Sequence, residues 1–341
     1  MELCLRAARF TVALAVMLAV LGNSCGADST GSLLTGDAGV TGGDAGATGA
    51  DAHPPNQAPG DPVIAAAGDI ACDGCKHRET AALLTRLLAE RGLAAILPLG
   101  DEAYPRGNLA DFQSDYAMSW GAPALLAITH PVPGNHEYAQ SPGDGYFDYF
   151  NGAQASTGVA GDRSRGYYSF DIGSWHLVAL NSNDACHDVA CDVGSPQQQW
   201  LAADLAAHPT RCALAFWHHP RFQGGTEDGE TEAVAPLWDT FHDAGGDVVL
   251  SAHEHNYQQL APLDKSGTAD PVNGLRSFVV GTGGAGLASR FGAPHEAAIE
   301  ARVVDSRGVL ELTLMDGRYE WRFVTTEGTV PAGASGSAAC R

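Results

Sequence analysis

Between residues 62 and 251 short apolar runs alternate with amphipathic helical patterns, and few architectures accept that alternation. The run 62–67 predicts a strand. His77–Arg91 predicts a helix with Leu83, Leu84, Leu87 and Leu88 on one face and Gly92 just past its end. Further strands are expected at 93–99, 175–181, 212–217 and 247–251, with helices at Pro196–Ala207 and 232–244. Strands that alternate with helices form βαβ units, so the chain is expected to be an α/β domain. The last part differs: 277–281, 298–304, 309–315 and 319–324 read as a run of mostly antiparallel strands. No internal repeat is visible.

Five polar clusters each follow one of the apolar segments. They are Gly68-Asp69, Gly100-Asp101-Glu102-Ala103-Tyr104, Gly134-Asn135-His136-Glu137, His218-His219-Pro220 and His253-Glu254-His255-Asn256. Loops at the carboxyl ends of strands in an open α/β sheet gather on one side, so the five could converge. Carboxylate, amide oxygen and imidazole suit iron, zinc or manganese. Each cluster alone reads as an ordinary turn or a structural histidine pair. His253-x-His255 says more, because residues two apart on an extended segment point the same way. It is the ordered set that carries the inference.

The formal charge of −21 excludes a general nucleic-acid binder, which needs a basic footprint. An acidic chain that takes an anionic substrate needs a local reversal of field, and bound cations supply one. Arg6 and Arg9, the apolar run 11–21 and the small residues after it read as an export signal over residues 1–24. Cys25 follows that run, and two readings stay open: a lipid anchor on Cys25, the only membrane attachment expected, or simple secretion. Residues 25–60, rich in Gly, Ala, Thr and Asp, form a flexible tether, leaving 61–341 as the folded domain. An exported chain with eight cysteines is expected to form disulfides. Cys72 with Cys75 and Cys186 with Cys191 are near neighbours, which leaves Cys212 for Cys340. Zinc held by Cys72-x-x-Cys75 is the competing reading.

The five clusters resemble the metallophosphoesterase superfamily and, within it, the purple acid phosphatases of the secreted bacterial type. The blocks of that family read DxG, GDxxY, GNH(D/E), VxxH and GHxH. Here they stand as Asp69-Ile70-Ala71, Gly100-Asp101 through Tyr104, Gly134 through Glu137, Ala215 through His218, and Ala252 through His255. Ala71, Ala215 and Ala252 depart from the pattern at places that are not ligands. The resemblance covers about residues 63–325. It implies a four-layer α/β/β/α sandwich and two metal ions. One ion would take Asp69, Tyr104 and His255 and share Asp101; the other would share Asp101 and take Asn135, His218 and His253.

Most metallophosphoesterases carry a histidine two residues after the first Asp, where this chain has Ala71. Tyr104 is the substitute donor, and a hard tyrosinate implies Fe(III) beside a divalent Fe, Zn or Mn. If Tyr104 merely packs before Pro105, zinc or manganese in both positions is expected instead. The metals would bring the pKa of bound water from 15.7 toward about 7. His136, adjacent to a ligand, is the implied general acid, with a loop-holding role as its alternative. His219 is a second candidate for binding or protonating phosphate. Glu137 and Glu254 are expected to orient neighbouring histidines. The implied activity is phosphomonoester hydrolysis of a small substrate; a phosphodiesterase and a non-catalytic surface metal-binding protein are the alternatives.

Overall fold

A computed structural model describes residues 60–341 apart from 140, 141, 184, 210 and 211. The expected export signal, Cys25 and all of the tether but Gly60 lie outside the described residues. Among the described residues no helix is long and apolar enough to cross a membrane.

Strand β1 (Val63–Ala67) leads through α1 (His77–Arg91) to β2 (Ala95–Pro98). Short helical turns and α2 (Asp144–Phe150) precede the hairpin of β3 (Tyr168–Ile172) and β4 (Trp175–Ala179). Then come α3 (Pro196–Ala207), β5 (Cys212–Phe216), α4 (Ala235–Asp243) and β6 (Val248–Ser251). The rest is strand: β7 (Tyr257–Leu260), β8 (Arg276–Val280), β9 (Ile299–Val303), β10 (Gly308–Met315), β11 (Arg318–Thr325) and β12 (Ser335–Ala339). One sheet has the order β12-β11-β10-β1-β2 and the other β9-β7-β8-β6-β5-β4-β3.

Side-chain alternation explains why two sheets stack with helices outside them. Leu177, Leu214, Leu250 and Phe278 point into the core between the sheets. Their chain neighbours Val178, Ala215, Val249 and Val279 point the other way, into a second core with Leu201 of α3 and Leu237, Trp238 and Phe241 of α4. Across the inter-sheet layer, Trp321 packs on Phe278 at 5.5 Å between ring centroids and Phe323 on Tyr257 at 4.4 Å. Leu83, Leu84 and Leu87 of α1 cover the outer face of the first sheet. The layers therefore run α/β/β/α, as expected.

Local signals place the helix ends. The Gly92 N–H caps α1 on Leu88 O at 3.0 Å with φ of 65°, and Ser195 Oγ accepts the Gln198 N–H at the start of α3. The expected helix 232–244 is instead a 3₁₀ turn, Glu232–Val234, followed by α4, whose first turn carries Pro236. The three expected disulfides are all formed. Zinc at Cys72 and Cys75 is thereby corrected: their sulfurs are bonded to each other, leaving no thiolate to offer.

The carboxyl ends of β1, β2, β5, β6 and β8 meet at one edge. There Gly68 N–H donates to Val280 O at 2.9 Å and Ala252 N–H to His218 O at 2.8 Å, so both sheets feed the same loops.

Candidate metal centre

The strand ends turn sharply at the residues the sequence singles out. Asp69, Asp101 and His253 have φ of 59°, 50° and 67°, left-handed values that ordinary residues avoid. Gly100 shows how tight the turn is. Its φ is 88°, and a Cβ there would stand 2.6 Å from His218 Nδ1 and 2.8 Å from Gly134 N.

The turns bring the predicted residues together in two linked groups. In the first, Tyr104 OH donates to Asp69 Oδ1 at 3.1 Å and lies 3.2 Å from His255 Nε2, which is itself 3.3 Å from Asp69 Oδ1. In the second, His218 Nε2 lies 3.5 Å from Asp101 Oδ2 and 3.1 Å from His253 Nδ1. Ligand atoms of Asp69, Asp101 and His218 all fall within 4.8 Å of one another, so the groups share an edge at Asp101. Asp69 Oδ2 also accepts the His253 backbone N–H at 3.0 Å.

Asn135 lies on the loop beside the second group. Its neighbours bind it there: His136 N–H donates to Asp101 Oδ1 at 2.9 Å, and a Cβ on Gly134 would stand 2.2 Å from that oxygen. Asn135 Oδ1 is buried with no hydrogen-bond partner. A buried carbonyl oxygen left bare is costly, and a cation is the partner its chemistry suits.

Charge tells the same story. Burial works to raise the Asp69 and Asp101 carboxyls, yet the facing His255 and His218 more than offset it and hold both below the usual carboxylate range. Burial works to lower His218 and His255, but Asp101 pushes the first up to about 9 and Asp69 the second up to about 10. The protons on these rings hold the place that metal charge would take. Each ring also donates Nδ1–H to a carbonyl, His218 to Leu99 O and His255 to Gly286 O, both at 2.7 Å, which turns Nε2 inward. Burial, then Asp69 and Asp101, pushes the Tyr104 phenol well above 10. It keeps its proton until a strong cation displaces it. The donor set fits two metal ions.

His136 sits at the rim on the Tyr104 ring, 4.2 Å between centroids. Its Nδ1 is held by Pro105 O at 2.6 Å, and its Nε2 is 3.7 Å from Asp101 Oδ2. His219 is buried against His253, with ring centroids 4.4 Å apart. Burial, then His218 and His253, holds it well below the usual histidine value.

Two expectations change. Glu137 orients backbone and not a ring: it accepts the N–H groups of Asp101, Gly134 and Ala103. Glu254 accepts from Asp228 N–H at 3.0 Å and Gln223 Nε2 at 3.3 Å, pinning the 224–230 loop and no histidine. The loop after β8 is a contributor that motif reading passed over. Gly281 lies against Asp69, Ala285 N–H donates to Asp69 O, and Gly286 O holds His255. Its signal was the glycine-rich run Gly281-Thr282-Gly283-Gly284 straight after a strand. A cavity of about 640 Å³ opens between the loops 139–166 and 183–195, lined among others by Tyr138, Asp144, Arg163 and Asp188.

His176, Asp204 and His208 also cluster. The two His176 nitrogens lie 2.7 and 2.8 Å from oxygens of Asp171 and Asp204. Burial works to lower its pKa, but those carboxylates more than offset it, and both ring nitrogens are taken up by ion-pair partners within this cluster.

Comparison with known proteins bears on this geometry. Calcineurin-like phosphoesterase is the family that matches, over residues 62–257. Purple acid phosphatase 22 of Arabidopsis thaliana is 34% identical over 46% of this chain and 36% of its own length. Acid phosphatase type 7 of Danio rerio is 26% identical over 53% of this chain and 45% of its own length. The chain thus spans less than half the length of either. Among solved structures, the purple acid phosphatase PPD1 of yellow lupin superposes with a TM-score of 0.66 at 16% identity, covering 82% of this chain and 54% of that one. GAP50, described as the anchor in the inner membrane complex of Plasmodium, superposes at 0.63 with 12% identity, covering 82% of this chain and 89% of that one. Both share the fold.

Proposed function

This chain belongs to the calcineurin-like phosphoesterase family, and from that premise we propose that it is a dinuclear metal-dependent phosphoester hydrolase of the purple acid phosphatase type. One observation carries the reading: seven donors from five loops converge, and one of them, Asn135 Oδ1, is buried without a partner. The fold alone would not decide, since it also serves a protein described as an anchor. The complete donor set favours turnover over a non-catalytic metal-binding role.

Asp69, Tyr104, His255 and Asp101 would hold one ion, and Asp101, Asn135, His218 and His253 the other. When bound, the ions would supply an activated water and a positive clamp for the phosphoryl oxygens. Tyr104 as phenolate favours Fe(III) in the first position, with divalent Fe, Zn or Mn in the second. His136 would deliver a proton to the leaving oxygen from the rim. A small phosphomonoester is the proposed substrate; a diester on the same site is the alternative.

Three disulfides support export to an oxidising compartment, secreted or anchored through Cys25. The test is metal analysis of the aerobically purified protein together with assays on p-nitrophenyl phosphate and bis(p-nitrophenyl) phosphate. Two metals per chain and monoester turnover that Asp101→Asn abolishes are expected. Full turnover in that variant rejects the site.

A further inference from the structure

Hydrogen-bond partners decide which nitrogen of each buried histidine carries a proton. A carbonyl only accepts, so Leu99 O and Gly286 O keep the protons of neutral His218 and His255 on Nδ1 and leave a lone pair on each Nε2. His219 stands in a different situation, because its partner is a hydroxyl. Ser182 Oγ accepts the His219 backbone N–H at 3.1 Å and lies 2.9 Å from His219 Nδ1.

Ser182 is fully buried, and its hydroxyl proton needs an acceptor. The His219 backbone nitrogen is a donor only. Among the described residues His219 Nδ1 is the sole acceptor bonded to that hydroxyl. Were Nδ1 protonated, the Ser182 proton would be buried with nothing to meet. Nδ1 therefore accepts, and the proton of the neutral ring sits on Nε2. A ring nitrogen of His219 lies within 4.8 Å of those of His218 and His253, so the ring borders the second metal position.

We propose that His219 donates an Nε2–H hydrogen bond to the bound phosphoryl group and holds no metal, with Ser182 as the positioning residue that fixes its tautomer. This rests on the dinuclear phosphoesterase reading. By geometry alone His218, His219 and His253 could cage an ion. The tautomers separate the neighbours His218 and His219: the first offers a lone pair inward on Nε2 and the second offers a proton. His219 differs from His136 too. With Nδ1 donating to Pro105 O, His136 has a proton on Nε2 only as an imidazolium, whereas His219 donates as a neutral ring.

The test reads metal content and the affinity of inorganic phosphate in the purified holoprotein. His219→Ala is expected to keep the wild-type metal stoichiometry and weaken phosphate binding about tenfold to a hundredfold. His219→Gln, whose amide N–H can reach the same place, recovers most of that loss. Ser182→Ala, which frees the tautomer, weakens phosphate binding less than His219→Ala does. Loss of one metal equivalent in His219→Ala makes it a ligand and overturns the proposal; so does unchanged phosphate affinity. Nitrogen-15 NMR of histidine-labelled wild-type protein decides the matter even if the variants misfold, since a protonated His219 Nδ1 is contrary to the proposal. A wild type that binds neither two metals nor phosphate defeats the parent reading first, and that failure shows before any variant is made.

Discussion

Glu137 Oε2 accepts the backbone N–H of Asp101 at 2.9 Å, and the same oxygen accepts the Gly134 N–H at 2.8 Å. One carboxylate thus sets the spacing between the loop that carries Asp101 and the loop that carries Asn135. Glu137→Gln turns an acceptor toward a donor and leaves a buried N–H group without a partner. About 1–3 kcal/mol of stability should be lost, measured by urea unfolding. Metal content should fall at the second position first. Unchanged metal content would show that the clamp holds loops and nothing more.

Tyr104 touches both Asp69 and His255, so Tyr104→Phe removes a donor from the first position without emptying the space. If Fe(III) sits there, the purified protein is coloured and the variant loses the tyrosinate charge-transfer band. A colourless, zinc-only wild type with full activity would reject the ferric assignment.

His136 can act as an acid only while both its nitrogens are protonated, since Nδ1 is committed to Pro105 O. Activity on phenyl phosphate, which has a poor leaving group, should therefore depend strongly on this ring. His136→Ala should slow phenyl phosphate by about 10²–10⁴-fold. p-Nitrophenyl phosphate should suffer much less. Equal losses on both substrates would argue for a purely structural ring.

Loading metal must expel protons. With pKa values of about 9 and about 10 in the metal-free protein, His218 and His255 are both charged at neutral pH. Metal addition to a weakly buffered apoprotein at pH 7 should release both protons, and apparent affinity should rise with pH up to about 9–10. The sign for apoprotein stability is opposite. Both folded values lie above the unfolded value of about 6.5, so these pairs stabilise fully below about pH 6.5. Their contribution is lost as pH rises through about 9 to 10. Zinc uptake without proton release would contradict this charge pattern.

Local punctuation made much of the fold legible. His77–Arg91 and Pro196–Ala207 stand where the sequence places them, the first ending at Gly92 as expected. The candidate donors that gather at the strand ends were legible as a set too, because each follows a strand as a fixed block. Strand β7 was not read: Gln258 and Gln259 look like loop residues until their amides find Asn256, Gln223 and Glu300. Nor was the β1–β10 pairing, in which Ile64 faces Leu312 across most of the chain. Long-range partners also decide what the motif residues do. Glu137 holds backbone and not a ring, and Ser182 sets the His219 proton from 37 positions away. No spacing rule reaches that far.

The left-handed backbones at Asp69, Asp101 and His253 set main-chain strain against side-chain pairing at single residues. Glycine at any of the three would relax the main chain, and at the two aspartates it would also remove a buried carboxylate. Relief of strain at Asp69 or Asp101 therefore competes with loss of the pairs to His255 and His218, and only at His253 does glycine leave both pairs in place.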